Sequence, residues 1–80
     1  MKVVVNISLK QGVLDPQGKA VHHALSALKF NSVDDVRIGK QIVMQVNESD
    51  EAKAIESVGQ MCEELLANTV IEDYTIEIVK

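Results

Sequence analysis

From Met1 to Lys10 the chain alternates: Val3, Val5, Ile7 and Leu9 point one way, and Lys2, Asn6, Ser8 and Lys10 the other. A period of two with β-branched residues predicts a strand with one dry and one wet face, Val4 being the exception. Gln11 and Gly12 end it. Asp15-Pro16 then starts a helix, because Asp accepts orphan N–H groups and Pro at the first helical position forfeits no hydrogen bond. Val21, Ala24, Leu25 and Leu28 form its apolar stripe, Gly18 weakens its first turn, and it should end near Lys29 to Asn31. Val33 to Val46 reads as strand again, with Lys40 interrupting the apolar parity beside Gly39. Run continuously from Val36, that strand would span roughly 35 Å at ~3.3 Å per residue. A compact chain of this size is only about 30 Å across. Either Gly39-Lys40 turns a two-residue hairpin, which the pattern favours, or the strand bends there and one end projects towards another subunit. Asn47 to Asp50 is a turn with Ser49 as the expected cap. Ile55, Val58, Cys62, Leu65 and Leu66 line a second helix, where Gly59 is expected to permit close packing, and Val70 to Val79 is the last strand. The pattern predicts an α+β two-layer sandwich in β-α-β-β-α-β order, with a mainly antiparallel sheet and two helices on one face.

One such domain over residues 1–80 has a marginal core, since a chain this short buries little more than ~60% of its unfolded surface. The usual remedies are few here. A single cysteine, Cys62, rules out an intrachain disulfide, and two histidines with one cysteine do not make a structural zinc site. Oligomerisation, as a dimer or tetramer, is the remaining remedy and the working expectation. Eight basic against twelve acidic residues give a net charge of −4, with one Tyr, one Phe and no Trp. That surface lacks the cationic groups and stacking platforms that nucleic acid requires. The opening residues carry no charged and apolar leader pattern, and no apolar run approaches the ~20 residues that cross a bilayer. The expectation is a cytoplasmic protein without nucleic-acid or membrane partners.

A search for catalytic constellations returns none. Gly12 to Ala20 superficially resembles a phosphate-binding loop, but the spacing is one residue too long and Ala20 stands where Ser or Thr would hold Mg²⁺. His22 and His23 are neighbours on a helix, so their side chains diverge by about 100° and cannot share a metal. Half-exposed helix positions, or a subunit contact, explain them. Cys62 lies on an apolar stripe, where a free cysteine is a small buried hydrophobe, and reactive thiols need an electropositive, partly exposed setting. The acids Asp34, Asp35, Glu48 to Glu51, Glu63, Glu64, Glu72 and Asp73 fall on turns and helix ends, where solvation explains them. No catalytic, cofactor-binding or metal-ligating residue is assigned. Arg37 and Lys40 remain as candidate subunit contacts, able to pair with acids on a partner.

Three stretches carry more than composition: Gly12 to Leu25 (GVLDPQGKAVHHAL), Val33 to Ile42 (VDDVRIGKQI) and Cys62 to Ile78 (CEELLANTVIEDYTIEI). With the opening strand they resemble the PurS family over nearly the whole chain. The runs Leu14-Asp15-Pro16-Gln17-Gly18 and Val36-Arg37-Ile38-Gly39-Lys40 are the most specific. Two positions depart from the family: Thr69, where proline is frequent, and Lys29, where glycine is. Both are turn positions, so they touch local backbone geometry rather than the assignment. The resemblance implies a non-catalytic subunit of phosphoribosylformylglycinamidine synthase in de novo purine biosynthesis. It implies partners too: the large synthetase subunit (PurL), the glutaminase subunit (PurQ) and further copies of itself. The family's enzyme uses glutamine and ATP to convert formylglycinamide ribonucleotide into formylglycinamidine ribonucleotide. Within it the small subunit supplies no catalytic residue, bridges the larger proteins and helps enclose the path of ammonia.

Two rival readings have sequence signatures of their own. A stand-alone ferredoxin-like module binding a metabolite would share the fold and differ only in its ligand. A small enzyme acting at a subunit interface would have to use His22, His23 or Cys62, which form no recognisable nucleophile–base pair.

Overall fold

In the computed structural model, which describes all 80 residues, the alternating run becomes β1 (Lys2–Leu9), the central strand of a three-stranded antiparallel sheet. β2 (Gly39–Gln45) and β3 (Glu72–Val79) flank it. The register sets Val5 opposite Ile42 and Ile76, and Val3 opposite Met44 and Ile78, so one face of the sheet is apolar across all three strands. Lys40 ends that face, in a row with Ile7 and Tyr74.

A second helix covers part of this face. α2 (Glu51–Met61) continues into a five-residue π turn, Cys62–Leu66, closed by the Ala67 N–H donating to the Cys62 carbonyl at 3.0 Å. Val58 and Cys62 are fully buried together with Val3 and Val5, and Ile7 nearly so. Full burial of an aliphatic side chain of this kind stabilises by about 1.5–3 kcal/mol, so this small cluster supplies much of the monomer's cohesion. Two positions assigned to the buried face from sequence lie outside it. Ile55 is 45% and Leu65 82% exposed, because the face that meets the sheet runs through Ala54, Val58, Cys62 and Leu66, and the wider π turn leaves Leu65 pointing outward. Nor does Gly59 admit a close approach: a Cβ there would meet only Ile76 Cδ1, at an ordinary 3.8 Å. The helix cap is Asp50 rather than Ser49. Its carboxylate accepts the N–H groups of Ala52 (2.9 Å) and Lys53 (3.3 Å), while Glu48 receives those of Ser49 and Asp50.

The first helix follows the sequence closely in its local chemistry. α1 (Pro16–Ala27) is capped by Asp15, has Pro16 at its first position, and ends where Lys29 adopts a left-handed φ of 76°. Lys29 N–H donates to Ser26 O at 3.0 Å and Phe30 N–H to Leu25 O at 2.9 Å. This is the paired closure that normally carries glycine at the residue occupied by Lys29. Thr69 lies in a turn closed by Ile71 N–H on Asn68 O, again at 3.0 Å.

The structure shows the α+β class, with an antiparallel sheet and two helices. Two expectations within that frame are corrected. No hairpin forms at Gly39-Lys40; these residues open β2 and pair with Ser8 and Ile7. Glycine at this position allows backbone to approach backbone, since a Cβ would lie 2.7 Å from the Ile7 carbonyl oxygen. The residues before it, Val36 to Ile38, run as an irregular strap. The second correction concerns compactness, the premise behind the hairpin. The molecule measures 48 × 28 × 14 Å with a radius of gyration of 15.9 Å, against about 12 Å for a compact chain of this length. α2 packs on β3, whereas α1 lies on neither the sheet nor α2 and buries only Gly18. The chain therefore has room for its second strand region without folding it back.

Candidate functional site

The runs Leu14–Gly18 and Val36–Lys40 are far apart in sequence and meet at one end of the sheet. Asp15, 4% exposed, is the joint. Its Oδ1 accepts the Gly18 N–H at 2.9 Å, which caps α1, and its Oδ2 accepts the Ile38 N–H at 2.7 Å, which ties down the strap. The Gly18 amide first, and then that of Ile38, hold the Asp15 carboxyl below its ordinary value of 3.8; the Arg37 charge acts in the same direction and burial opposes it. Gly18 touches the strap directly, for a Cβ at that position would lie 2.1 Å from the Val36 carbonyl oxygen. His22 Nε2 reaches the Val33 carbonyl at 2.9 Å and fastens the segment leading into the strap to α1. As the partner is a carbonyl, the ring nitrogen is the donor.

Arg37 and Lys40, the residues singled out from sequence, both lie at this end. Arg37 Nη2 donates to the Lys10 carbonyl at 3.2 Å, which links the strap to the exit of β1. Lys40 is exposed on β2. Three open depressions surround them and share Ser8 as a lining residue. One, about 370 Å³, runs over Asn6, Ser8, Gly39 and Thr75 beside Lys40. A second, about 420 Å³, lies between Gln11, Asp35 and Arg37. The third, about 230 Å³, lies between Asp15, Lys40 and Glu72. Some of the polar groups here are engaged within the chain: Gln41 Nε2 donates to Asn6 Oδ1 at 2.9 Å, and Lys10 pairs with Asp73 at 3.2 Å. Exposed pairs of this kind add little stability.

Elsewhere the titratable groups assemble no reaction centre. Cys62 is wholly buried, and desolvation, with the adjacent Glu63 charge adding to it, pushes its thiol above the ordinary value. The neighbouring Glu63 carboxylate, with burial adding to it, raises the Tyr74 phenol above its ordinary value. His22 and His23 remain separate, the first half-buried against the strap and the second exposed. No three potential metal ligands converge, and no helix is long and apolar enough to cross a membrane.

The apolar stripe of α1 was legible from spacing, but not that it stays uncovered, because its residues occupy ordinary amphipathic positions. Leu14 is 63%, Leu28 67% and Phe30 57% exposed, all on α1 or its flanks, with Val21 and Ile38 also open. Scattered apolar residues on a surface are normal, but a whole helical stripe without a partner marks an interaction face. A thin sheet, one packed helix and one helix whose apolar stripe is left open define a small α+β domain with surface available for contact.

Comparison with known proteins narrows that class to one family. The model of the family described as "PurS: Phosphoribosylformylglycinamidine (FGAM) synthase" matches residues 2–80, and the chain belongs to it. Among its relatives, the phosphoribosylformylglycinamidine synthase subunit PurS of Bacillus subtilis is 54% identical over 77 residues, covering 96% of this chain and 90% of that one. The crystal structure of PurS from Methanocaldococcus jannaschii superposes with a TM-score of 0.90 at 46% identity, covering 99% of this chain and 95% of the other. A chain in the structure of PurLQS from Thermotoga maritima matches with a TM-score of 0.89 at 33% identity, covering 98% of this chain and 95% of that one.

Proposed function

We infer that this chain is a non-catalytic subunit of phosphoribosylformylglycinamidine synthase in de novo purine biosynthesis. As one domain over residues 1–80, it joins the large synthetase subunit and the glutaminase subunit. The carrying observation is the family match along essentially the entire chain, to relatives that bear this subunit's name. Two features agree with an assembly role: Asp15, the buried polar side chain, ties α1 to the strap, and apolar surface is left open. The protein works in the cytoplasm as a homo-oligomer. Its contacts help seal the route from glutaminase to synthetase, which matters because free ammonia at neutral pH is mostly protonated and non-nucleophilic. Excluding water keeps it neutral and concentrated.

Arg37 and Lys40 contribute to the contacts with the larger subunits. Both carry charge at the end of the sheet where the strap, β1 and β2 meet, and both border open depressions. Reconstitution tests the reading. Mixing this protein with its synthetase and glutaminase counterparts should yield co-elution and glutamine-dependent synthesis that is lost when the protein is omitted. Equal glutamine-dependent activity without it would exclude the assignment. Reversing both charges (Arg37→Glu with Lys40→Glu) should weaken co-elution, and unchanged co-elution would remove these residues from the interface. The metabolite-module alternative has nothing in the comparisons to favour it.

A further inference from the structure

We propose that Asp15 is a positioning residue for the synthase: it meets no reacting group itself, and holds the strap so that the Arg37 guanidinium is set to receive a carboxylate of one of the larger subunits. The inference rests on the reading of Arg37 as a contact residue and adds what makes that contact work.

A helix cap needs one acceptor, and a serine or asparagine at the surface supplies it. Here the cap is a buried carboxylate, and burying a charge is costly unless it is fully hydrogen-bonded. Oδ1 serves α1 through Gly18, whereas Oδ2 reaches out of the helix to Ile38 and makes the shorter of the two bonds, 2.7 Å against 2.9 Å. The same first turn meets the strap a second time, where Gly18 lies against the Val36 carbonyl. Val36 and Ile38 are the two chain neighbours of Arg37. An exposed arginine in an irregular segment therefore has its backbone fixed on both sides by one turn of α1.

The side chain itself is mostly unengaged. Arg37 makes one hydrogen bond, from Nη2 to the Lys10 carbonyl at 3.2 Å, and takes part in neither of the chain's two salt bridges, Lys10 with Asp73 and Lys80 with Glu51. A guanidinium carries five N–H donors in a planar fork that matches a carboxylate through parallel bonds. A fork whose base is already fixed loses less freedom when it binds, so holding the strap raises affinity without adding a contact. Lys40 provides the contrast. Its backbone is set by pairing with Ile7 in the sheet, independently of Asp15.

Asp15→Asn isolates the tie. Asparagine caps a helix as well as aspartate does, but only one of its two polar atoms accepts, so Gly18 and Ile38 cannot both be satisfied. Each variant is titrated into a fixed mixture of the synthetase and glutaminase counterparts, and the concentration that half-saturates glutamine-dependent synthesis is read. Arg37→Ala should raise that concentration about tenfold or more, and Asp15→Asn about two- to tenfold. The two effects should not add: in a chain already carrying Arg37→Ala, Asp15→Asn should change the value by less than about twofold. In a chain carrying Lys40→Ala instead, Asp15→Asn should keep its full effect. Gly18→Ala displaces the strap from the Val36 side with the carboxylate intact, and should show the same dependence on Arg37; it decides the matter if Asp15→Asn loses its far-UV circular dichroism. Equal damage by these variants with and without Arg37 would overturn the proposal, because it would reveal a general loss of structure. So would wild-type half-saturation by a folded Asp15→Asn protein. Wild-type behaviour of Arg37→Ala would overturn it by a separate route, by removing Arg37 from the contact altogether.

Discussion

Replacing two glycines by alanine, one at a time, separates tertiary from local causes of stability in this fold. Gly18 and Gly59 both lie in helices, where alanine is favoured over glycine by up to about 1 kcal/mol. On propensity alone both substitutions should stabilise. The structure gives them opposite signs. At Gly59 the added Cβ makes an ordinary contact with Ile76 at 3.8 Å, so the propensity gain survives at roughly 0.5–1 kcal/mol. At Gly18 the Cβ would lie 2.1 Å from the Val36 carbonyl oxygen and 3.0 Å from Asp15 Oδ2. The first of these is backbone and cannot rotate aside, so the strap must move by about 1 Å to restore an ordinary contact. Overpacking that forces backbone shifts costs about 1–3 kcal/mol, and a clash this deep belongs at the upper end, which leaves a net loss of roughly 2 kcal/mol. For a domain of this size each kcal/mol moves Tm by about 4–8 °C. Gly59→Ala should therefore melt a few degrees higher than the wild type and Gly18→Ala about 8–16 °C lower. The assay is thermal unfolding followed by circular dichroism, at one protein concentration throughout because association shifts Tm. A Gly18→Ala protein as stable as the wild type would refute the argument that the strap is packed against α1.

Three further outcomes follow from particular groups. Lys29 holds a left-handed φ of 76° at the end of α1; glycine relieves a penalty of about 1–2 kcal/mol while losing some chain entropy, so Lys29→Gly should raise the unfolding free energy by roughly 1 kcal/mol in a urea titration. The pKa of Asp15 is depressed in the folded protein, so its contribution is present above the unfolded value and disappears as pH falls through the lower folded one. Stability should fall below the ordinary carboxylate value of 3.8, and Asp15→Asn should flatten that part of the pH profile, as read by acid titration of the circular dichroism signal. The Cys62 thiol is buried and its pKa raised, so a disulfide reagent at neutral pH should label it only as fast as the chain opens; rapid stoichiometric labelling of the native protein would contradict the packing of α2 on the sheet.

Much of the local architecture was legible in the sequence. Alternation placed β1 and Asp15-Pro16 placed the start of α1, because both depend on neighbours along the chain; Lys29 stood out only through the resemblance to the family, where glycine is frequent at that turn. The runs around Asp15 and Arg37 were singled out as the most specific, and the structure gives the physical reason: they are bonded to each other through Asp15. What the chain alone did not decide were the contacts between distant segments. Gly39-Lys40 has the composition of a hairpin turn, yet it begins a strand because β1 offers it partners at Ile7 and Ser8. Ile55 and Leu65 have helical spacing suited to burial, but the breadth of the sheet and the π turn determine which residues α2 buries. The sequence reading placed both helices on one face of the sheet, but an apolar stripe specifies that a helix needs a partner and not which surface supplies it. Spacing along the chain set the elements; the Asp15 tie and the close approach of Gly18 to Val36 set their directions, since those depend on atoms brought together only by folding.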